Sequence, residues 1–236
     1  LLLREALNSL PLDPVFVYHP LFYAWDAHCD YLEQYADSAK KVLFLGMNPG
    51  PFGMAQTGVP FGDVVSIKNW LGIHKPVAQP EHVHPRRPIQ GFNCPRPEIS
   101  GRRFWGYFAS RYSSAQAFFK DHFVSNYCPL LFLKPSGCNL TPDHLAMPQR
   151  QAIQKHCDAF LRDLVEILSP NWVVGVGNFA YQSAVRVLEE FGKVSVGKIL
   201  HPSPANPLAN KGWEREVDAA LAPVYQQLSL IGPQET

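Results

Sequence analysis

Four residues, Val42-Leu43-Phe44-Leu45, are apolar at consecutive positions, and Gly46 stops the run. A strand with one wet face alternates apolar with polar residues, so a short unbroken apolar run suits a strand covered on both faces, as in a parallel sheet packed by helices. Further strand candidates follow at Phe123-Val124-Ser125-Asn126-Tyr127, at Trp172-Val173-Val174-Gly175-Val176 and near Val194 to Leu200. Helices are expected at the start of the chain, ahead of an aromatic stretch from Val15 to Trp25, then from about Pro148 to Leu168, Asn178 to about Phe191, and roughly Trp213 to Leu228. Strands alternating with helices predict an α/β fold, three layers deep, around a central, mostly parallel four-stranded sheet. No repeat or linker divides the chain, so residues 1–236 are expected to form one domain. Residues 74–101, with six prolines and three histidines, form an irregular surface excursion from it.

Lys plus Arg is 21 against 20 Asp plus Glu, a net charge of +1, which excludes a protein that holds nucleic acid or an anionic membrane by bulk charge. Any polyanion has to be gripped locally. No apolar run approaches the roughly 18 residues of a membrane span, and the opening LLLREALNSL has neither the basic start nor the apolar core of a signal peptide. A soluble, monomeric intracellular protein is expected, nuclear in a eukaryote and cytoplasmic in a bacterium. The 5 cysteines contain no Cys-x-x-Cys pair, so they read as reduced thiols, and His82, His84 and Cys94 match no usual zinc spacing.

Two proline-stiffened loops, Met47 to Phe52 and His201 to Pro207, each follow a strand. In open α/β sheets ligands sit outside the carboxyl ends of the strands, so the two loops are expected to face each other across one cleft. Asn48 offers an acceptor and a donor, suited to positioning a water, although an Asn before Pro also serves simply to form a turn. Phe61, between Pro60 and Gly62, is placed to expose a ring for stacking, though a lone Phe is usually core. His201 and Ser203 offer hydrogen bonds without net charge. With no pair of matched carboxylates, these groups suit a reaction that needs electrostatic stabilisation more than proton shuttling. Gly175-Val176-Gly177-Asn178-Phe179-Ala180 matches a dinucleotide-binding pattern, but the acid expected about 20 residues on is missing. A tight turn with close helix-to-strand packing explains these glycines better.

The run Gly46-Met47-Asn48-Pro49-Gly50-Pro51-Phe52-Gly53-Met54-Ala55-Gln56-Thr57-Gly58-Val59-Pro60-Phe61-Gly62, with His201-Pro202-Ser203-Pro204 and Asn210-Lys211-Gly212-Trp213, closely resembles the single-strand-selective monofunctional branch of the uracil-DNA glycosylase superfamily. Tyr18 to Trp25, Phe104-Trp105-Gly106, Asn126 to Phe132 and Pro135-Ser136-Gly137 extend the likeness over nearly the whole chain. The resemblance implies a base-excision repair enzyme of the uracil-DNA glycosylase fold that works without metal or cofactor. Its substrate would be uracil or 5-hydroxymethyluracil in single- or double-stranded DNA, and its product an abasic site. By likeness, Asn48 positions the attacking water and His201 donates to uracil O2. Phe61 stacks on the flipped base, Asn126 reads its polar edge, and backbone groups of Met47 and Gly50 add contacts. The bare Gly50 is expected to leave space beside pyrimidine C5. Ser203, Pro204, Ala205, Asn206 and Lys211 would meet DNA, and Arg86, Arg87, Arg102, Arg103 and Arg215 are candidates for further phosphate contacts, although charges of this kind more often form solvated surface. One departure stands out: Ala205 occupies the wedge-loop position where the family carries an arginine, which predicts a weaker preference for duplex substrate. No lysine accompanies the two loops, so no lyase step is expected. Two rival readings are a nucleic-acid binding protein that does not cut and an oxidoreductase built on Gly175 and Gly177.

Overall fold

A computed structural model describes residues 2–12 and 16–230. Val15, at the head of the aromatic stretch, lies outside the described residues. The strands are β1 (Phe16–Tyr18), β2 (Val42–Gly46), β3 (His122–Asn126), β4 (Leu131–Leu133), β5 (Asn139–Leu140), β6 (Trp172–Val176) and β7 (Ser195–Ile199). Four of them form one sheet in the order β3-β2-β6-β7, and every neighbouring pair is parallel. All five residues of β2 are buried, as its unbroken apolar run requires. The four strands are those expected from the sequence, and the sheet they make is wholly parallel.

Helices cover the sheet. Asn178–Leu188 packs on β6 and β7, and Trp213–Gln227 packs on β7. Phe44 of β2 meets Phe104 and Phe108 of helix Ile99–Ala109 and Phe118 of helix Ala115–Phe119, with ring centroids 5.1 to 6.3 Å apart. Such ring pairs add roughly 0.5–1.5 kcal/mol each beyond the area they bury. Helix Met147–Leu168 starts with Pro148 in its first turn, where a missing N–H is harmless, and ends at Ser169, whose φ of 48° is left-handed.

Strands β1, β4 and β5 form a second, antiparallel sheet that the sequence did not announce. Runs of two or three residues carry no readable period, so only pairing in space defines them.

Apart from a short 3₁₀ turn at Gly91–Asn93, the stretch from 74 to the start of helix Ile99–Ala109 holds no helix, yet it is firmly attached. Buried Gln56 donates to the carbonyls of Pro51 and Pro88 and accepts the N–H groups of Gln90 and Gly91, at 2.8–3.1 Å. One side chain thus joins the loop after β2 to the excursion. His84 is buried too, with Nε2 3.1 Å from the Lys134 carbonyl and Nδ1 accepting the Arg86 N–H. Both of its nitrogens are engaged by backbone, while His82 is exposed.

The chain turns from β2 towards β3 and later returns to the other side of β2 as β6. Connections diverge at that point, and a crevice opens outside the carboxyl ends of the strands.

Candidate active site

A cleft of about 520 Å³ occupies this crevice. Met47, Asn48 and Gly50 line it from the loop after β2, and Phe61 lines it from the following turn. Asn126 contributes from the last position of β3, and His201, Ser203 and Pro204 from the loop after β7. The two stiff loops therefore share one cleft.

Register explains how they meet. Gly46 and Asn126 are partners at the ends of β2 and β3. Pairing continues past the strands, because Tyr127 N–H donates to Gly46 and Cys128 N–H to Met47. The same segment orients the next side chain: Asn48 Nδ2 donates to the Leu130 carbonyl at 3.1 Å. The amide nitrogen is thereby engaged, and Oδ1 is left as the acceptor. A bare Gly46 lets this corner close, since a Cβ there would strike the Asn126 amide oxygen and come within 2.9 Å of the Phe61 ring. Asn126 is buried, and its Nδ2 lies 3.2 Å from Met54 Sδ.

Phe61 has φ 52°, a left-handed conformation that few residues other than glycine adopt without cost. Its ring stacks on buried Phe104 with centroids 4.4 Å apart and planes 10° apart, and it is tilted against His201 at 6.3 Å. One face is thus braced by the core.

The backbone N–H of Ser203 donates to Nδ1 of His201 at 3.1 Å. A nitrogen that accepts carries no proton, so the neutral ring holds its hydrogen on Nε2. Burial pushes the imidazole down to about 4, so the ring is uncharged at neutral pH. Arg103 steadies the loop, donating to the Pro202 carbonyl at 3.2 Å and to Asn210 Oδ1 at 2.9 Å, and Asn210 Nδ2 donates to the Pro204 carbonyl. Arg103 is therefore a positioning residue, and Arg102 lies 3.6 Å from buried Asp63. Neither is a free cation for phosphate. Of the remaining residues expected to meet DNA, Ala205 and Lys211 are exposed on the rim, outside the cleft lining, and Asn206 Oδ1 caps the next turn at Leu208 N–H.

Gly175 and Gly177 have structural explanations. A Cβ on Gly175 would strike the backbone of Ala180 and Tyr181, so helix and strand touch there. Gly177 has φ 90°, and a Cβ on it would stand 3.0 Å from His201 Cβ. The dinucleotide-like pattern belongs to helix packing and to the seat of His201.

Sequence reasoning missed Glu98. Its carboxyl lines the cleft against Gly50 and Gly53, filling the space a side chain on Gly50 would need. The room beside Gly50 is thus held by the end of a flexible carboxylate and is not bare, which corrects the expectation. Burial pushes the Glu98 carboxyl up, against the lowering effect of the Ser100 and Phe52 backbone N–H groups. No spacing rule links residues 50 and 98, and only the fold brings them together. Phe52, the last residue of the Met47 to Phe52 loop, lines the cleft too, and Arg96 joins it unannounced.

An amide acceptor, a neutral imidazole donor and a braced ring thus share one cleft, groups whose chemistry suits orienting a water and donating a hydrogen bond to a developing anion. Comparison with known proteins agrees. The uracil DNA glycosylase superfamily profile matches residues 33–226. Two single-strand selective monofunctional uracil DNA glycosylases, from Mus musculus and Rattus norvegicus, are 50% and 52% identical over 232 residues, covering 97% of this chain and 82% of theirs. One from Bos taurus is 49% identical over 215 residues, covering 90% of this chain and 79% of its own. A crystal structure of wild-type Pedobacter heparinus SMUG2 shares the fold, with a TM-score of 0.69, 17% identity and 96% of each chain covered. The chain belongs to the uracil DNA glycosylase superfamily.

Proposed function

We propose that this protein hydrolyses the bond between deoxyribose and uracil in DNA, accepts 5-hydroxymethyluracil as well, and leaves an abasic site in single- and double-stranded substrates. The complementary hydrogen-bonding roles of Asn48 and His201 across one cleft carry this reading. Asn48 Oδ1 accepts a hydrogen bond from the attacking water and so aims the water's lone pair at the sugar carbon. His201 Nε2–H donates to uracil O2 as negative charge gathers there. As the C–N bond breaks, its electron pair leaves with the base, the sugar becomes cation-like, and water adds to the sugar carbon; the proton this water then loses goes to solvent, from which the uracil anion is protonated. Orientation of the water and stabilisation of the anion are the terms the site supplies. An unpaired base costs least to extrude into the cleft, which favours single strands. Phe61 receives the flipped base on the side away from Phe104, and Asn126 matches the donor and acceptor edge of uracil while opposing that of cytosine.

The test is direct. Labelled single strands bearing one uracil are incubated with the wild type, Asn48→Ala or His201→Leu, and abasic sites are then cut with alkali. The wild type is expected to yield cleaved strands, and each variant to lose about 10²–10³-fold in rate. Strands left intact by the wild type would remove the reading.

A further inference from the structure

At one end of the cleft the ring of Phe52 carries two guanidinium groups, Arg96 at 4.3 Å and Arg87 at 5.3 Å from its centroid. Phe52 and Arg96 line the cleft, and Arg87 approaches from the Pro-rich excursion. Neither arginine stands in an ion pair among the described residues, whereas Arg102, Arg111 and Arg186 are paired with Asp63, with Glu214 and Asp218, and with Asp158. Glu98 feels the Arg96 charge without pairing to it. Arg87 Nη1 donates to the Arg86 carbonyl at 2.9 Å, which fixes one edge of the fork.

A chain of net charge +1 has to hold a polyanion with few, well-placed cations. Guanidinium groups resting on a ring lose less freedom when they grip an oxyanion, and their planar forks match phosphate oxygens. We propose that Arg87 and Arg96, seated on Phe52, form a phosphate clamp for the DNA strand next to the nucleotide held in the cleft. The clamp rests on the glycosylase reading above and adds to it the side on which the strand leaves the site. Ser203, Pro204 and Lys211 border the strand on the opposite loop, and the extruded nucleotide bridges the two.

The experiment uses the full chain and two readouts: excision from a uracil-bearing single strand, and anisotropy of a labelled uracil-free single strand, each from about 50 to 200 mM salt. Variants are Arg87→Gln with Arg96→Gln, Arg96→Gln alone, and Arg87→Lys with Arg96→Lys, with Arg162→Gln on the exposed face of helix Met147–Leu168 as control. Each lost phosphate contact should lower the log-log salt slope of binding by about 0.7, so the double Gln variant should lose about 1.4. Its KM should rise several-fold with kcat little changed, the Lys pair should restore most of the slope, and the control should match the wild type. Arg96→Gln alone touches an exposed side chain and serves if the double variant melts early. Wild-type slope and KM in Arg96→Gln and the double variant would overturn the clamp. An unreactive wild type whose binding slope still falls in the variants would remove the glycosylase reading and keep the clamp.

Discussion

The backbone nitrogen of Ser203 and Nδ1 of His201 are 3.1 Å apart, and this contact decides which nitrogen of the imidazole is left to donate into the cleft. Nδ1 is closed to protonation unless the Ser203 N–H turns away, so only Nε2 carries hydrogen. The ring acts as a neutral donor. A cationic ring would also bind the departing anion, but burial makes that form expensive here.

The pH dependence follows. With the His201 imidazole pushed down to about 4, single-turnover excision should stay level from pH 8 to about 5.5 and fall only towards 4. Stability carries the same sign. An unfolded histidine takes up its proton near 6.5 and the folded one near 4, so stability present above about 6.5 is lost as the pH falls through that window. An inflection in rate near 6.5 that disappears in His201→Leu would contradict the neutral donor.

Glu98 gives the opposite slope. Its carboxyl is pushed up, so the folded protein holds this proton at a pH where the unfolded chain has released it. Its contribution is present in full below the ordinary carboxylate range and is lost as pH rises through the raised value. Glu98→Gln should therefore gain stability relative to the wild type as pH increases from about 4 to 7. Denaturant midpoints at both ends of that range check it, and a constant difference between the two proteins would refute it.

Gln56→Leu removes an amide that satisfies the carbonyls of Pro51 and Pro88 and the N–H groups of Gln90 and Gly91. Gln56 and Gly91 are buried, so the Gly91 N–H in particular loses its partner away from bulk water. The cost should be about 2–4 kcal/mol, lowering the melting temperature by roughly 5 °C or more. A melting curve settles the matter. Excision should also weaken in this variant, because the loop carrying Asn48 loses its tie to the excursion.

Ala205 is exposed on the rim loop, and its N–H donates to Ser203 Oγ at 3.2 Å. Its methyl group is too short to fill the gap left by a flipped base. Ala205→Arg should raise excision from duplex relative to single strands by roughly fivefold, recovering about 1 kcal/mol of the unstacking cost. Equal rate ratios in the two proteins would show that the wedge is not limiting.

Much of the fold was legible because its signals are local. The apolar run at Val42 to Leu45, the strand at Trp172 to Val176 and the helix over Met147–Leu168 each declare themselves within a few residues. The short strands β1, β4 and β5 did not: β1 exists only through β4, a partner far along the chain, and β5, two residues long, is too short to show a period although its partner β4 is close by. The site divides in the same way. Asn48, Phe61 and His201 stand in distinctive loops that a reader can find. Glu98 beside Gly50, Gly177 beneath His201 and Arg103 behind Pro202 depend on contacts between distant segments.

Two of the chain's three His-Pro-X segments draw the line most sharply. His84-Pro85-Arg86 and His201-Pro202-Ser203 share a local geometry in which the third residue's N–H donates to the histidine's Nδ1, at 3.1 Å in both. The sequence by itself brings that N–H within covalent reach of the ring, with proline fixing φ between them, but it does not dictate the bond. At His19-Pro20-Leu21 the same order opens a helix, and His19 Nδ1 is left without a partner among the described residues. Tertiary structure alone decided their fates. The far nitrogen of His84 meets the Lys134 carbonyl, whereas His201 follows a strand whose carboxyl end opens onto the cleft. What a donor does depends on which acceptor the fold leaves in front of it.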